Sequence, residues 1–93
     1  MNKYVLLDFW ADWCQPCKMM APVIDEVEKE YPNIEIVRID ADQDTGMVSN
    51  YNVSSIPTYI LLKQTGEETE IIKFAKGAMP KYKFIKELGL DEI

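Results

Sequence analysis

The stretch Tyr4-Val5-Leu6-Leu7-Asp8-Phe9-Trp10, followed at once by Ala11-Asp12-Trp13-Cys14-Gln15-Pro16-Cys17-Lys18, decides how the rest of the chain is read. Its first half is a near-continuous apolar and aromatic run, the pattern of a strand covered on both faces, as in a parallel sheet. Its second half sets two cysteines three positions apart at the seam where that run gives way to helical spacing. From Pro16 onward the apolar residues Met19, Met20, Val23, Ile24, Val27 and Tyr31 recur with helical period, and Asp25, Glu26, Glu28, Lys29 and Glu30 turn outward. Asp12 is the expected cap of this helix. Pro22 is expected to kink it, because proline removes a backbone donor, and Pro32-Asn33 to end it.

Outward from that seam, residues 34–39 alternate as a second strand and run into the polar turn Asp40-Ala41-Asp42. Residues 45–51 read as a short helix capped by Asp44. Ser54-Ser55-Ile56-Pro57 leads into a third strand over 58–63, with proline at its entrance, where no ladder donor is needed. The turn chemistry of Gln64-Thr65-Gly66-Glu67 joins it to a fourth strand over 70–74 as an antiparallel hairpin. Pro80 suits the first turn of a last helix with Phe84, Ile85 and Leu88 on its apolar face, closed by Gly89. The order βαβαββα predicts one α/β domain over residues 1–93, a four-stranded mixed sheet flanked by three helices. Ligands of such sheets meet the carboxyl ends of the strands, and Cys14 follows a strand at that end.

Ninety-three residues suffice for one core and no second domain. A net charge of -6 argues against phosphate-neutralising work, so neither nucleic acid nor membrane is an expected partner. The apolar start is too short for a signal peptide and no run approaches the ~20 residues of a membrane span, which predicts a cytoplasmic protein. In a reducing compartment a single close cysteine pair is redox-active or metal-binding more often than it is a staple.

For the pair itself, Cys14 reads as the nucleophile, first in the motif, nearest the surface and favoured as a thiolate by the helix amides. Cys17, one turn deeper, would resolve the mixed disulfide by attacking Cys14. Pro16 stiffens the loop and Lys18 adds a positive charge. Zinc is the first rival, but structural zinc needs four ligands and the chain has two cysteines and no histidine; inert structural cysteines are the second. Asp8 is the anomaly of its strand. A buried acid of raised pKa can accept and return the proton of the resolving thiol, while the bland alternative pairs Asp8 with Arg38 as a structural ion pair. Trp13 reads as an apolar platform for an extended substrate and Trp10 as packing. The lysines Lys73, Lys76, Lys81, Lys83 and Lys86 read as a solvated face.

Taken together, residues 8–22 resemble the active-site region of the thioredoxin family. Tyr51-Asn52-Val53-Ser54-Ser55-Ile56-Pro57-Thr58 resembles its cis-proline segment, and Gly66-Glu67 and Lys76-Gly77-Ala78 match its hairpin and the loop before its last helix. The resemblance covers about residues 5 to 88. It implies that Cys14 attacks, Cys17 resolves and Asp8 serves as the buried proton acceptor. It also implies a cis Pro57 that forms, with Trp13, Gln15, Pro16, Ile56 and Gly77, the surface holding a substrate peptide. No bound cofactor is implied: the redox-active pair is recharged from NADPH by a flavin-dependent thioredoxin reductase, and the other partners are disulfide-containing proteins met by a monomer. A lowered cysteine pKa is an established property of that family and is taken from it.

Four departures stand out. Gln15 replaces the glycine usual between the cysteines, Ser55 the glycine usual before Ile-Pro, and Arg38 the lysine expected near the buried aspartate. The chain also begins at what is normally the second strand, so the usual first strand and helix are lacking and one sheet edge is less covered. The expected function is thiol–disulfide exchange that reduces protein disulfides. A glutaredoxin-like reductase drawing on glutathione and an interaction subunit whose redox cycle is incidental are the alternatives.

Overall fold

β1 (Asn2–Trp10) runs through the middle of the sheet in the computed structural model, which describes residues 2–93. After it come α1 (Gln15–Glu30), β2 (Ile34–Asp40), α2 (Thr45–Asn50), β3 (Thr58–Thr65), β4 (Glu68–Lys76), α3 (Lys81–Leu88) and a 3-10 turn at Leu90–Glu92. β1 pairs in parallel with β2, from Tyr4↔Ile34 to Trp10↔Asp40, and antiparallel with β3, from Asn2↔Thr65 to Phe9↔Thr58. β3 and β4 form the hairpin, irregular between Leu61 and Leu62, and the sheet order is β2-β1-β3-β4. The expected mixed four-stranded sheet with three helices is the one observed.

The interior position of β1 explains its composition: residues 5–9 are all buried, so alternate side chains serve two cores. On one face Leu6, Tyr59, Leu61 and Ala75 pack against Met20, Ile24 and Val27 of α1 and Phe84 and Leu88 of α3. There the rings of Tyr59 and Phe84 meet edge to face with centroids 4.8 Å apart. On the other face Val5, Leu7, Phe9, Ile39, Ile60 and Leu62 pack against Met47 and Val48 of α2 and the segment after it. Outside the first core Lys81 of α3 reaches Glu26 at 3.3 Å and also pairs with Glu30, tying α3 to α1. Such exposed pairs contribute about 0–1 kcal/mol, so burial and not charge holds the helices down.

Several local expectations are revised. Asp12 does not cap α1; the cap is Cys14, whose Sγ accepts the backbone N–H of Cys17 at 3.2 Å, because the helix starts at Gln15 and a cap must immediately precede it. Met19 is 64% exposed, since the buried stripe is Cys17, Met20, Ile24 and Val27 and Met19 lies about 100° around the helix from Met20. Pro22 lies inside α1, as expected, and the helix extends on both sides of it. Pro80 is the N-cap of α3 and not part of its first turn, and β4 extends beyond the expected 70–74 at both ends. Asp44 caps α2 through the N–H of Met47, and Gly89 ends α3 with φ 62°, both as expected. Of the lysines, Lys73, Lys76, Lys83 and Lys86 are exposed and Lys81 is drawn into its ion pairs.

Phe84→Ala should lower stability by roughly 3–5 kcal/mol, because it empties a fully buried site against Tyr59, whereas Tyr82→Ala on the outer face of α3 should stay within about 0.5 kcal/mol. Urea denaturation at unchanged m-value measures both, and equal effects would contradict the assigned face of α3.

Candidate functional site

The carboxyl end of β1 and the first turn of α1 are joined by four residues, and the two cysteines flank the helix start. Cys14 and Cys17 are linked as a disulfide with Cα atoms 5.2 Å apart. Both lie over the amino end of a sixteen-residue helix, whose free N–H groups and dipole favour negative charge there. The Cys17 N–H donated to Cys14 Sγ is one of those groups, so the residue that caps the helix is also the sulfur it would stabilise as a thiolate.

The expected difference in exposure is not found. As whole residues Cys14 is 3% exposed and Cys17 9%, so both are buried and residue exposure does not single out Cys14. Ile56, from the segment that enters β3, packs with Trp10 against Cys14, Cys17 and Ala11 and supplies the cover. The ordering of roles within the pair therefore stands on the cap position and on the resemblance, not on access.

Asp8 is 6% exposed near the carboxyl end of β1. Burial pushes its carboxyl up to about 6 and the nearby Arg38 guanidinium opposes this in part. Asp8 and Cys17 line one cavity of about 220 Å³ beneath the start of α1, together with Trp10, Lys18 and Arg38, so a water there can relay between carboxyl and thiol. The ion pair considered for Asp8 and Arg38 is not formed. Although the two are register partners, Arg38 turns to Asp25 at 2.9 Å and Glu28 at 3.4 Å on α1. On the other side of β1, burial and then the charge of Asp8 raise the hydroxyl pKa of Tyr59, which keeps it neutral.

The remaining site residues gather around the same end of the sheet. The Ile56–Pro57 bond is cis, and Pro57 is fully buried. Its carbonyl accepts the N–H of Gly77 at 3.0 Å, and Gly77 has φ 85°, a conformation that favours glycine. Thr58 Oγ1 donates to the Ser55 carbonyl at 2.6 Å and fixes the approach to the proline. Trp13 is 69% exposed, yet its indole N–H is anchored on Asp42 Oδ2 at 2.9 Å, beside a depression that Ile56, Ser54 and Ser55 also line. Gln15 and Pro16 are exposed next to it. Asp42 was not singled out in the sequence; its place in the polar turn after β2, at the same sheet end as the cysteines, was the available signal. Among the described residues no cluster of three His, Cys, Asp or Glu side chains is arranged to hold a metal ion.

Comparison with known proteins agrees with this geometry. A family model described as Thioredoxin matches residues 1–89. The chain is 45% identical over 78 residues to the chloroplastic M-type thioredoxin of Spinacia oleracea, which covers 83% of this chain and 41% of that protein. It is 44% identical over 78 residues to a thioredoxin of Bacillus subtilis, covering 83% of this chain and 71% of that one. The thioredoxin structure from Trichomonas vaginalis superposes with TM-score 0.84 at 27% identity over 96% of this chain and 78% of that chain.

Asp8 holds its proton more tightly in the folded protein, at about 6, than at its ordinary value of 3.8. Between those values the folded state binds more protons than the unfolded one, so stability falls as pH rises through the window and is level above it. The loss is on the order of 3 kcal/mol. Asp8→Asn should therefore gain about 1–3 kcal/mol at pH 8 and little at pH 3.5, as read by urea denaturation. An equal gain at both pH values would mean that Asp8 ionisation is not its source.

Proposed function

The chain belongs to the thioredoxin family and is a thiol–disulfide oxidoreductase acting through Cys14 and Cys17, and from that premise we propose that it reduces disulfides of partner proteins with electrons drawn from NADPH through a flavin-dependent thioredoxin reductase. The observation that carries this reading is the placing of one cysteine pair on a helix start, against a cis-proline groove on one side and a buried carboxyl on the other.

In the reducing direction the Cys14 thiolate attacks one sulfur of a substrate disulfide, forming a Cys14–substrate bond and releasing the other substrate sulfur as a thiolate that takes up a proton. The helix amides that favour the Cys14 thiolate are in place before the substrate arrives. An extended substrate segment lies across Pro57 and Gly77, with Trp13 and Ile56 offering apolar contact and Gln15 and Pro16 bordering the attacking sulfur. Cys17 then gives its proton to Asp8, directly or through a water in the shared cavity, and attacks Cys14 Sγ. The second substrate thiol leaves, so two electrons have passed to the substrate and the pair is oxidised. No bound cofactor enters these steps. The dithiol must be regenerated, which suits a reducing compartment such as the cytoplasm and a monomer that meets its reductase and its substrates in turn.

Cys14→Ser should abolish insulin-type disulfide reduction, and Cys17→Ser should retain the first attack and accumulate a mixed disulfide visible by intact mass. Full turnover in Cys14→Ser would overturn the assignment of the nucleophile. Turnover with glutathione in place of reductase and NADPH would overturn the proposed electron source.

A further inference from the structure

We propose that Asp25 and Glu28 are positioning residues for the redox step: they engage the Arg38 guanidinium at the wall of the cavity beneath α1, and so leave the Asp8 carboxyl a strong enough base to take the Cys17 proton near neutral pH. The proposal rests on the reading of Asp8 as proton acceptor and concerns what sets its strength.

Arg38 stands between two sets of carboxyl groups. On β2 it is the register partner of Asp8, and it lines the same cavity as Asp8 and Cys17. Its guanidinium nevertheless donates to α1 and not to Asp8, Nη2 to Asp25 Oδ1 at 2.9 Å and Nη1 to Glu28 Oε2 at 3.4 Å. Asp25 and Glu28 are three positions apart on one face of α1, and both are exposed. Their pairing with Arg38 leaves the cation partly hydrated, whereas a turn inward to Asp8 would strip water from two charges at once. Arg38 and Asp8 both line that cavity of about 220 Å³, and among the described residues no other side chain is bonded to Asp8.

The charged and titratable groups that face Asp8 come from every element around it. Arg38 comes from β2, Tyr59 from β3, Cys17 and Lys18 from α1, and Asp12 from the loop before α1. Arg38 is the cation that opposes the burial effect on Asp8. Its effect depends on how near the guanidinium stands and how far its charge is neutralised, and Asp25 and Glu28 govern both. Without them the cation is unpaired and free to turn inward, and each change makes Asp8 a stronger acid and a weaker base.

The test follows the Asp8 carboxyl by carbon NMR in the oxidised protein, where the cysteines do not titrate. Asp25→Asn/Glu28→Gln should lower the Asp8 midpoint by about half a pH unit, and Arg38→Met should raise it. In the Arg38→Met background the two carboxylate changes should have little further effect, because they act through the guanidinium. An unmoved midpoint in the double variant, or an equal shift with and without Arg38, would overturn the proposal. A parallel series measures how the release of mixed disulfides by the reduced protein depends on pH, and its midpoint should follow the NMR midpoint to lower pH in the double variant. Should the carboxyl move while the release profile stays in place, the positioning holds and Asp8 is not the proton acceptor, so the two failures are distinguishable.

Discussion

An ionisable side chain in the buried stretch of an interior strand constrains everything around it. β1 has neighbours on both edges and Asp8 is 6% exposed, so its carboxyl meets water only through the cavity it lines beneath α1. A carboxylate in such a place either acquires a partner or holds its proton to a higher pH. The fold takes the second course: Arg38, the cation best placed to neutralise Asp8, is engaged by α1, and the cavity that remains connects the acid to Cys17. The cost is about 3 kcal/mol of stability at neutral pH, which a fold under selection for stability alone would not carry.

The cysteine pair depends on the same strand in another way. The end of β1 delivers the chain to the amino end of α1, and β3, antiparallel to β1, brings Ile56 and Pro57 to the same sheet end. Asp8 and the two cysteines, neighbours in sequence, thus meet at one end of the sheet a segment that lies more than forty positions beyond Asp8. Gly77 joins them because β4 returns beside β3 and its N–H closes on the Pro57 carbonyl.

Most of the architecture was legible in the sequence because its signals are local. The apolar run of β1, the stripe through Met20, Ile24 and Val27, the Gly66 turn and the Gly89 stop each report on neighbours within a few positions. What escaped was set by contacts across the fold. Ile56 covers Cys14, Asp42 anchors Trp13, and Asp25 and Glu28 take Arg38 away from Asp8; none of these pairings leaves a periodic trace. The cap of α1 escaped for a chemical reason, since a cysteine sulfur does there what an aspartate or serine oxygen usually does and Asp12 looked the better candidate.

The order of the strands in the sheet also has a consequence in time. Asn2 and Thr65, 63 positions apart, sit side by side where β1 meets β3. A chain emerging from the ribosome therefore exposes β1 and both cysteines long before the segment that will flank the strand and cover Cys14 has been made. During that interval Ile56 is not yet there to pack against the cysteine pair, and the edge of β1 that β3 will take is open. The burial of the cysteine pair is thus a late event in the making of the fold, completed only when β3 is paired to β1.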